Sequence, residues 1–523
     1  MTKFENEYTW GKCVANNSTE RFQTEFDQAI EKVQNEFGKK YPILINGEEI
    51  YYDDCFEVNS PSDTGIVVSK FPKTSVKDTN LAISSAKNSF EEWSSTPYQK
   101  RVEIFRNCAD IFSKQKFFLA ALMTFENGKN RLEAMGDVDE AIDFMRFYAL
   151  QLEKHQGFQK QTIHPNPHEK TQTKMKPYGV WGVIAPFNFP SAIAIGMTTG
   201  ALITGNTVIL KPASDAPLSS FQFIKILSQM VPNDMINFVT GSGGIVGKTL
   251  IESQDVDGIA FTGSRDVGMK GFREFTKSTA KPFISEMGGK NPVIVTKFAD
   301  LEKASDGIMN AAFGFGGQKC SACSRVYVQT EIADQLISKL VEKTKKLVIG
   351  KSWEKGVFMG PVINNDAKTK FENAVTVAKK DGKILTGGHV LTSAGFENGY
   401  FVEPTIVTKL PENHKLVKEE LFLPFLCIQR YDLFDDAIKL ANQSEYGLTA
   451  GIFTKDDKQL EEFFSKIQAG VVYANRYASA TTAALVSSQP FVGWKNSGST
   501  GKGAGGENYL QQFMRTQTQT RCD

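Results

Sequence analysis

The sequence predicts an α/β protein built on doubly wound parallel sheet, and three observations predict it. The chain has 523 residues, more than one ordinary core holds, so two or three structural units are expected. From Tyr178 to Ser264 short apolar strands alternate with helical stretches: GVWGVIA, SAIAIGMTTGALIT, TVILKP, SSFQFIKILSQM, INFVT, a helix from Gly244, then GIAFTGS. That is the rhythm of parallel strands joined by crossover helices. A second alternation starts near Pro282 with PFISEMGGKNPVIV and runs through the strand RVYVQ to about Ala474. Sheets of this kind bind ligands at the carboxyl ends of their strands.

Before these sheets, ERFQTEFDQAIEKVQNEF is polar and helical in period, and YPILINGEEIYYDDCFEVNSP reads as strands around the turn Asn46-Gly47. Amphipathic helices without evident chemistry fill Asp78 to about Lys154. TIHPNPHEKTQTKMKPYG and the last dozen residues alternate polar with apolar or Thr, the pattern of a small appended sheet. Lys176 to Lys211 holds no charge between its ends, yet its three prolines, two asparagines and many glycines break it into strand, helix and strand. A bilayer would leave that backbone unsatisfied, so the segment is expected in a buried core.

Hydrophobic residues make up 41% and charged residues 23%, and the net charge is +1. That balance gives no electrostatic footprint for nucleic acid or an anionic membrane. The basic run KTKKL from Lys343 falls in a helical pattern and reads as a solvated face. Seven cysteines at irregular spacing, with no signal peptide before them, point to a reducing, cytoplasmic setting.

Two glycine-rich turns follow strands. TGSGGIVGKT ends like a phosphate-binding P-loop, but Ser242 stands where its first glycine is required, and Val246 breaks the dinucleotide fingerprint. FTGSRDVG places Gly263 and Ser264 at a strand-to-helix turn, which either holds a phosphate or only turns the chain. Lys211, ending TVILKP, either reaches into the ligand crevice toward a ribose hydroxyl or snorkels to the surface.

GGQKCSACSR holds Cys320 and Cys323. Zinc needs four ligands, and neither a second cysteine pair nor histidine spacing supplies them, so no metal is expected. A thioredoxin-like pair would open a helix, which is not the context here. One reactive thiol fits better, because FGFGGQKC lets backbone amides approach the sulfur. No histidine stands out as its base, which disfavours a thiol hydrolase. Glu286, ending an apolar strand before two glycines, reads as a buried general base or as half of an ion pair.

Six motifs now stand in order: APFNFP from Ala185, LKPAS from Leu210, FTGS from Phe261, EMGGKNP from Glu286, GQKCSA from Gly317 and EELFLP from Glu419. From about Tyr41 onward the chain resembles the NAD(P)-dependent aldehyde dehydrogenases. The resemblance implies a Rossmann-type cofactor domain over 1–157 and 179–285. A catalytic domain over 286–487 follows, with an oligomerisation flap and substrate loop over 158–178 and 488–523. It makes Cys320 the nucleophile, Asn188 with the Cys320 amide the oxyanion donors, and Glu286 the base that activates water. It assigns Lys211 to the adenosine ribose, and Gly243, Gly247, Gly263 and Ser264 to the pyrophosphate and adenine side. Glu420 goes to the nicotinamide ribose, with Phe422 beside the ring, and Phe187 joins the cofactor contacts.

Two positions depart from the family pattern. Ser214 stands where NAD-preferring members usually carry glutamate, so NAD is expected with NADP possible. Leu423 replaces the glycine of E-E-x-F-G-P.

Within the family, GFGGQKCSACSR and the tail QPFVGWKNSGSTGKGAGGENYLQQF are similar to the 1-pyrroline-5-carboxylate dehydrogenases, which oxidise glutamate γ-semialdehyde. That likeness implies that Ser321 and the Ser497-Gly498-Ser499 segment hold the substrate carboxylate, with Phe189 against its methylenes. The loop SGSTGKGAGG is one residue longer than usual, and Val492 replaces a glycine. Succinic semialdehyde is therefore the alternative substrate, and a catalytically silent member the alternative of another class. Family members form homodimers or higher homo-oligomers through the flap.

Overall fold

A computed structural model describes residues 3–232, 234–477 and 484–522. Met1, Thr2, Asn233, residues 478–483 and Asp523, all inside the predicted domain segments, lie outside the described residues.

Two seven-stranded sheets form the frame. The first has the spatial order Phe283–Glu286, Gly258–Thr262, Val180–Ile184, Thr207–Lys211, Ile236–Phe238, Ile43–Ile45, Glu48–Ile50. Its first five strands run parallel, and the two from the N-terminal region pair antiparallel. Continuous apolar runs suit these strands because helices cover both faces, and Thr207–Lys211 is buried along its length. The chain leaves Val180–Ile184 toward Thr207–Lys211 and later returns to its other side at Gly258–Thr262, so the strand order reverses there. A crevice opens at the carboxyl ends of strands at such a reversal.

The second sheet has the order Lys383–Thr386, Thr405–Thr408, Phe425–Tyr431, Cys323–Gln329, Asn291–Val295, Thr449–Phe453, Val471–Ala474, parallel except for its first pair. The two sheets are joined at Met287–Lys290. The carboxyl end of Phe283–Glu286 thus meets the amino end of Cys323–Gln329, and the candidate residues gather at that junction.

The uncharged segment folds as read: strand Val180–Ile184, helix Ala192–Ile203, strand Thr207–Lys211. Among the described residues no helix is long and apolar enough to cross a membrane. The helix expected from Gly244 forms, opening as a widened π-helical turn over Gly243–Gly247 that runs directly into the α-helix Lys248–Glu252. Two adjacent glycines favour an irregular opening over a regular helical start.

The helices of the Asp78–Lys154 region are Val76–Ser95, Tyr98–Lys114, Lys116–Glu126 and Arg131–Lys154. Ser75 and Asp78 cap the first reciprocally, and Asn130 accepts from Leu132 and Glu133 to start the last. The last helix buries Asp137, Asp139 and Asp143, which must find partners.

The appended sheet has three antiparallel strands, Met514–Cys522, Glu169–Pro177 and Gln159–Thr162. The predicted flap segment 488–523 divides. Only Met514–Cys522 joins this sheet. Residues 497–499 instead lie along Phe283–Glu286, where Met287 N donates to Ser497 O at 2.8 Å and Ser499 N to Ser285 O at 3.1 Å.

Candidate active site

Cys320 is half-buried at the end of the turn Gly314–Gly317. Phe315 takes a left-handed φ of 50°, and Gly316 and Gly317 have φ of 61° and 67°. A Cβ at Gly317 would collide with the Leu423 carbonyl, so glycine is required there on two grounds. Gln318 is fully buried and satisfied: Oε1 accepts from Ile363 N at 2.8 Å, and Nε2 donates to Phe315 O and Pro361 O. Asn291 Nδ2 donates to Cys320 O at 2.6 Å and to Ala322 O at 3.0 Å. The Cys320 backbone is thus pinned from both sides.

Burial pushes the Cys320 thiol up to about 12, and the carboxylates of Glu420 and Glu286 push the same way. Cys323 is different in kind. It is buried, begins a strand, and its Sγ faces Arg325 O at 3.6 Å. None of the seven cysteines forms a disulfide.

Glu286 ends its strand, with its carboxyl group pushed up to about 8 by burial and opposed by a hydrogen bond from the Gly493 amide. Its Oε2 is buried and has no hydrogen-bond partner among the described residues. An oxygen in that state is open to a water molecule. Asn188, 3% exposed, donates from Nδ2 to Gln318 O at 3.1 Å, which ties the 185–190 loop to the residue two before Cys320. A primary amide has two N–H groups, so a second donor remains.

Several of the cofactor candidates end or follow strands of the first sheet: Lys211 ends Thr207–Lys211, Gly243 follows Ile236–Phe238 and Gly263 follows Gly258–Thr262. Lys211 ends its strand 4% exposed; its Nζ donates to Pro212 O at 2.9 Å, and burial lowers its ammonium to about 8. Ser214 Oγ donates to Gly241 O at 3.0 Å. A Cβ at Gly243 or Gly244 would meet nothing within 4 Å, so the turn opens onto free space. Gly263 precedes Ser264, the N-cap of helix Arg265–Phe275, whose first amides lack helical partners. Glu420 is pushed up to about 6 by burial and accepts from Gly289 N at 2.8 Å. A Cβ at Gly288 would collide with its carboxylate. Phe422 has a φ of 61° and meets Phe187 edge-on, with ring centroids 5.9 Å apart. Leu423, at the departing position, packs in an apolar cluster with Phe371, Val375 and Phe425. A buried cation, open space at a glycine turn, a helix amino end and a buried carboxylate together fit a dinucleotide.

Around the expected substrate positions the structure adds detail. Ser321 is buried, and its carbonyl accepts from Thr449 Oγ1 at 3.2 Å. Ser497 is fully buried, and its hydroxyl donates to Gly288 O at 2.7 Å and accepts from Gly447 N at 3.1 Å. Ser499 Oγ donates to Phe283 O at 2.8 Å and accepts from Ser285 N at 2.9 Å. The Ser499 hydroxyl stitches the C-terminal tail onto the Glu286 strand and the Ser497 hydroxyl ties it to Gly288 and Gly447, with Gly498 bridged to Glu286 between them.

Two ion pairs beside the site escaped the sequence reading. Lys319 Nζ pairs with Glu133 at 2.7 Å, both largely buried. Lys129 pairs with Asp137 at 2.8 Å at zero exposure and stands 3.4 Å from the Phe189 ring centroid. All but Lys319 lie nearly two hundred residues before Cys320, and the one available signal was a helix carrying aspartates on its apolar side.

A model of the aldehyde dehydrogenase family matches residues 51–519. The chain belongs to the aldehyde dehydrogenase family. It is 38% identical over 499 residues to a 1-pyrroline-5-carboxylate dehydrogenase of Geobacillus sp. (strain WCH70), covering 94% of this chain and 95% of that protein. A crystal structure of 1-pyrroline-5-carboxylate dehydrogenase from Thermus with bound NAD superposes with a TM-score of 0.90 at 32% identity, covering 96% of both chains. Proline utilization A from Bdellovibrio bacteriovorus matches with a TM-score of 0.90 at 34% identity. That match covers 95% of this chain and 52% of the longer protein. The α/β architecture and the enzyme class expected from the motifs hold.

Proposed function

We propose that this aldehyde dehydrogenase oxidises L-glutamate γ-semialdehyde, the open form of 1-pyrroline-5-carboxylate, to L-glutamate in proline catabolism. The observation that carries the substrate is likeness across nearly the whole chain to a relative named for it. The polar surroundings of Cys320 support it: Lys319, Glu133 and the Ser321 amide suit a substrate bearing a carboxylate and an ammonium group. With the hydroxyls of Ser497 and Ser499 committed to backbone, carboxylate binding falls to Ser321 and Gly498.

Lys211, Gly243, Gly247, Gly263, Ser264, Glu420, Phe187 and Phe422 hold the dinucleotide in this reading. When bound, NAD supplies the hydride acceptor. Ser214 presents no carboxylate to a 2′-phosphate, so NADP use is allowed, with NAD preferred.

Cys320 Sγ gives its proton to solvent and bonds to the aldehyde carbon as the carbonyl π pair moves onto oxygen. The oxygen becomes an alkoxide and is met by Asn188 Nδ2–H and the Cys320 N–H, both preorganised by the hydrogen bonds to Gln318 O and Cys320 O. Loss of hydride from that carbon leaves a thioester on Cys320. Glu286 then takes a proton from the water at its free Oε2 as the water oxygen bonds to the acyl carbon. The carbon–sulfur bond breaks, and Cys320 is regenerated. Phe189 packs on the substrate methylenes.

Seven unpaired cysteines suit a cytoplasmic protein. The outer strand Gln159–Thr162 is exposed at every residue, and such an edge is a template for a second copy, which supports a homodimer or higher homo-oligomer.

The test is initial rates of NADH and NADPH formation with 1-pyrroline-5-carboxylate and with succinic semialdehyde, for the wild type and Cys320→Ser. Faster turnover of the pyrroline with NAD, lost in the variant, supports the proposal. Preference for succinic semialdehyde overturns the substrate and leaves the mechanism. No activity with either favours a silent member.

A further inference from the structure

Lys129 sits in the turn between helices Lys116–Glu126 and Arg131–Lys154, at zero exposure. Its ammonium donates to Asp137 Oδ2 at 2.8 Å. Two aromatic rings face it, the Phe189 centroid 3.4 Å away and the Phe315 centroid 5.2 Å, while Glu133, Lys319, Glu7 and Glu140 act on it at longer range. Those rings belong to two separate loops. Phe189 follows Asn188. Phe315 lies in the turn that leads into Cys320 and holds a left-handed φ that a phenylalanine keeps only where its surroundings impose it.

The contacts close a ring in space. Phe189 neighbours Asn188, whose Nδ2 donates to Gln318 O at 3.1 Å. Gln318 N and Nε2 both donate back to Phe315 O, at 3.2 Å each. Phe315 returns to Lys129. Two further bonds brace the Asn188 side: Asn127 Nδ2 donates to Phe187 O at 3.0 Å, and Asp137 Oδ1 accepts from Ala192 N at 2.6 Å.

We propose that Lys129, with Asp137 as its counter-ion, is a positioning residue that fixes the oxyanion loop and the nucleophile loop relative to each other. A desolvated ammonium between two ring faces attracts both at once, which an apolar side chain of equal volume cannot do. Cys320 Sγ and Asn188 Nδ2 come from separate loops whose direct hydrogen bond runs from Asn188 to Gln318, so the spacing between nucleophile and oxyanion donor draws on this second tie. The inference rests on the roles proposed for Cys320 and Asn188.

The experiment compares wild type, Lys129→Met/Asp137→Asn and Phe315→Leu, each with 1-pyrroline-5-carboxylate and with propanal, an uncharged aldehyde. The double variant removes both members of the hydrogen-bonded pair together, so neither is left without its partner, and the carboxamide oxygen introduced by Asp137→Asn still accepts from Ala192 N. The expected result is a fall in kcat of roughly ten- to a hundredfold, alike for both aldehydes and with little change in KM, since both share the oxyanion site. Phe315→Leu leaves the ion pair intact and is expected to lower kcat in the same sense. An unchanged kcat in the folded double variant, or in Phe315→Leu should the double variant not fold, overturns the proposal. A rise in KM confined to the charged substrate also overturns it and makes Lys129 a substrate contact. Wild-type turnover that survives Cys320→Ser would instead refute the parent mechanism, whatever Lys129 does.

Discussion

Replacing Glu286 by Gln separates the two halves of the proposed reaction. Glutamine keeps the size and the Gly493 hydrogen bond but cannot take a proton from water. Acylation of Cys320 and the first hydride transfer should survive, while hydrolysis of the thioester loses its base. General bases contribute about 10²- to 10⁴-fold, so steady-state turnover should fall within that range. The assay is stopped-flow absorbance of NADH: a burst close to one equivalent per active site, then a slow phase.

The wild type carries a second signature of the same carboxyl. Its pKa near 8 means that at pH 7 about a tenth is in the basic form, so turnover limited by hydrolysis rises with pH and levels above 8. The sign for stability is opposite. The folded protein holds this proton more tightly than the unfolded chain, whose value is 4.5. The contribution is therefore fully present below pH 4.5 and lost as pH rises through 8, on the order of 5 kcal/mol at most. Glu286→Gln should lose that part of the pH dependence of unfolding. A variant without a burst, or a wild-type profile flat between pH 6.5 and 9, refutes the assignment of Glu286 as the water-activating base.

Other outcomes follow from the same geometry. Cys323→Ala should keep most dehydrogenase activity where Cys320→Ser abolishes it, as compared by NADH formation. Iodoacetamide should label ligand-free Cys320 slowly, with a rate still climbing with pH at pH 9, because burial and two carboxylates hold the thiol up to about 12. Peptide mass spectrometry resolves it from exposed Cys522, which should label first. Ser497→Ala strands a buried amide and a buried carbonyl, so urea unfolding should show a loss of about 1–3 kcal/mol. Lys211→Met should raise KM for NAD with a smaller effect on KM for the aldehyde, measured by varying each in turn.

The sheets were legible because their strands carry near-continuous apolar runs, a pattern that survives without tertiary knowledge. Cys320 and Glu286 were legible because each breaks its local pattern: a thiol behind a run of glycines, and an acid closing an apolar strand. Lys129, Asp137 and Glu133 were not. Their charges look like ordinary amphipathic spacing until the fold buries that face of the helix against the Asn188 loop. The serines of the C-terminal loop looked like anion contacts by residue type. Only the pairing of residues 497–499 with Phe283–Glu286 shows their hydroxyls bound to backbone. The helix expected from Gly244 is present, but its widened first turn over Gly243–Gly247, which the paired glycines permit, is something no period reveals.

The central claim is a glutamyl thioester on Cys320, and the most direct measurement traps it. Glu286→Gln is mixed with 1-pyrroline-5-carboxylate and NAD, quenched in acid, digested and mapped by mass spectrometry. The account predicts a glutamyl adduct on Cys320, absent without NAD. Sustained turnover of the pyrroline with no adduct on that residue, or an adduct on Cys323 instead, would contradict it.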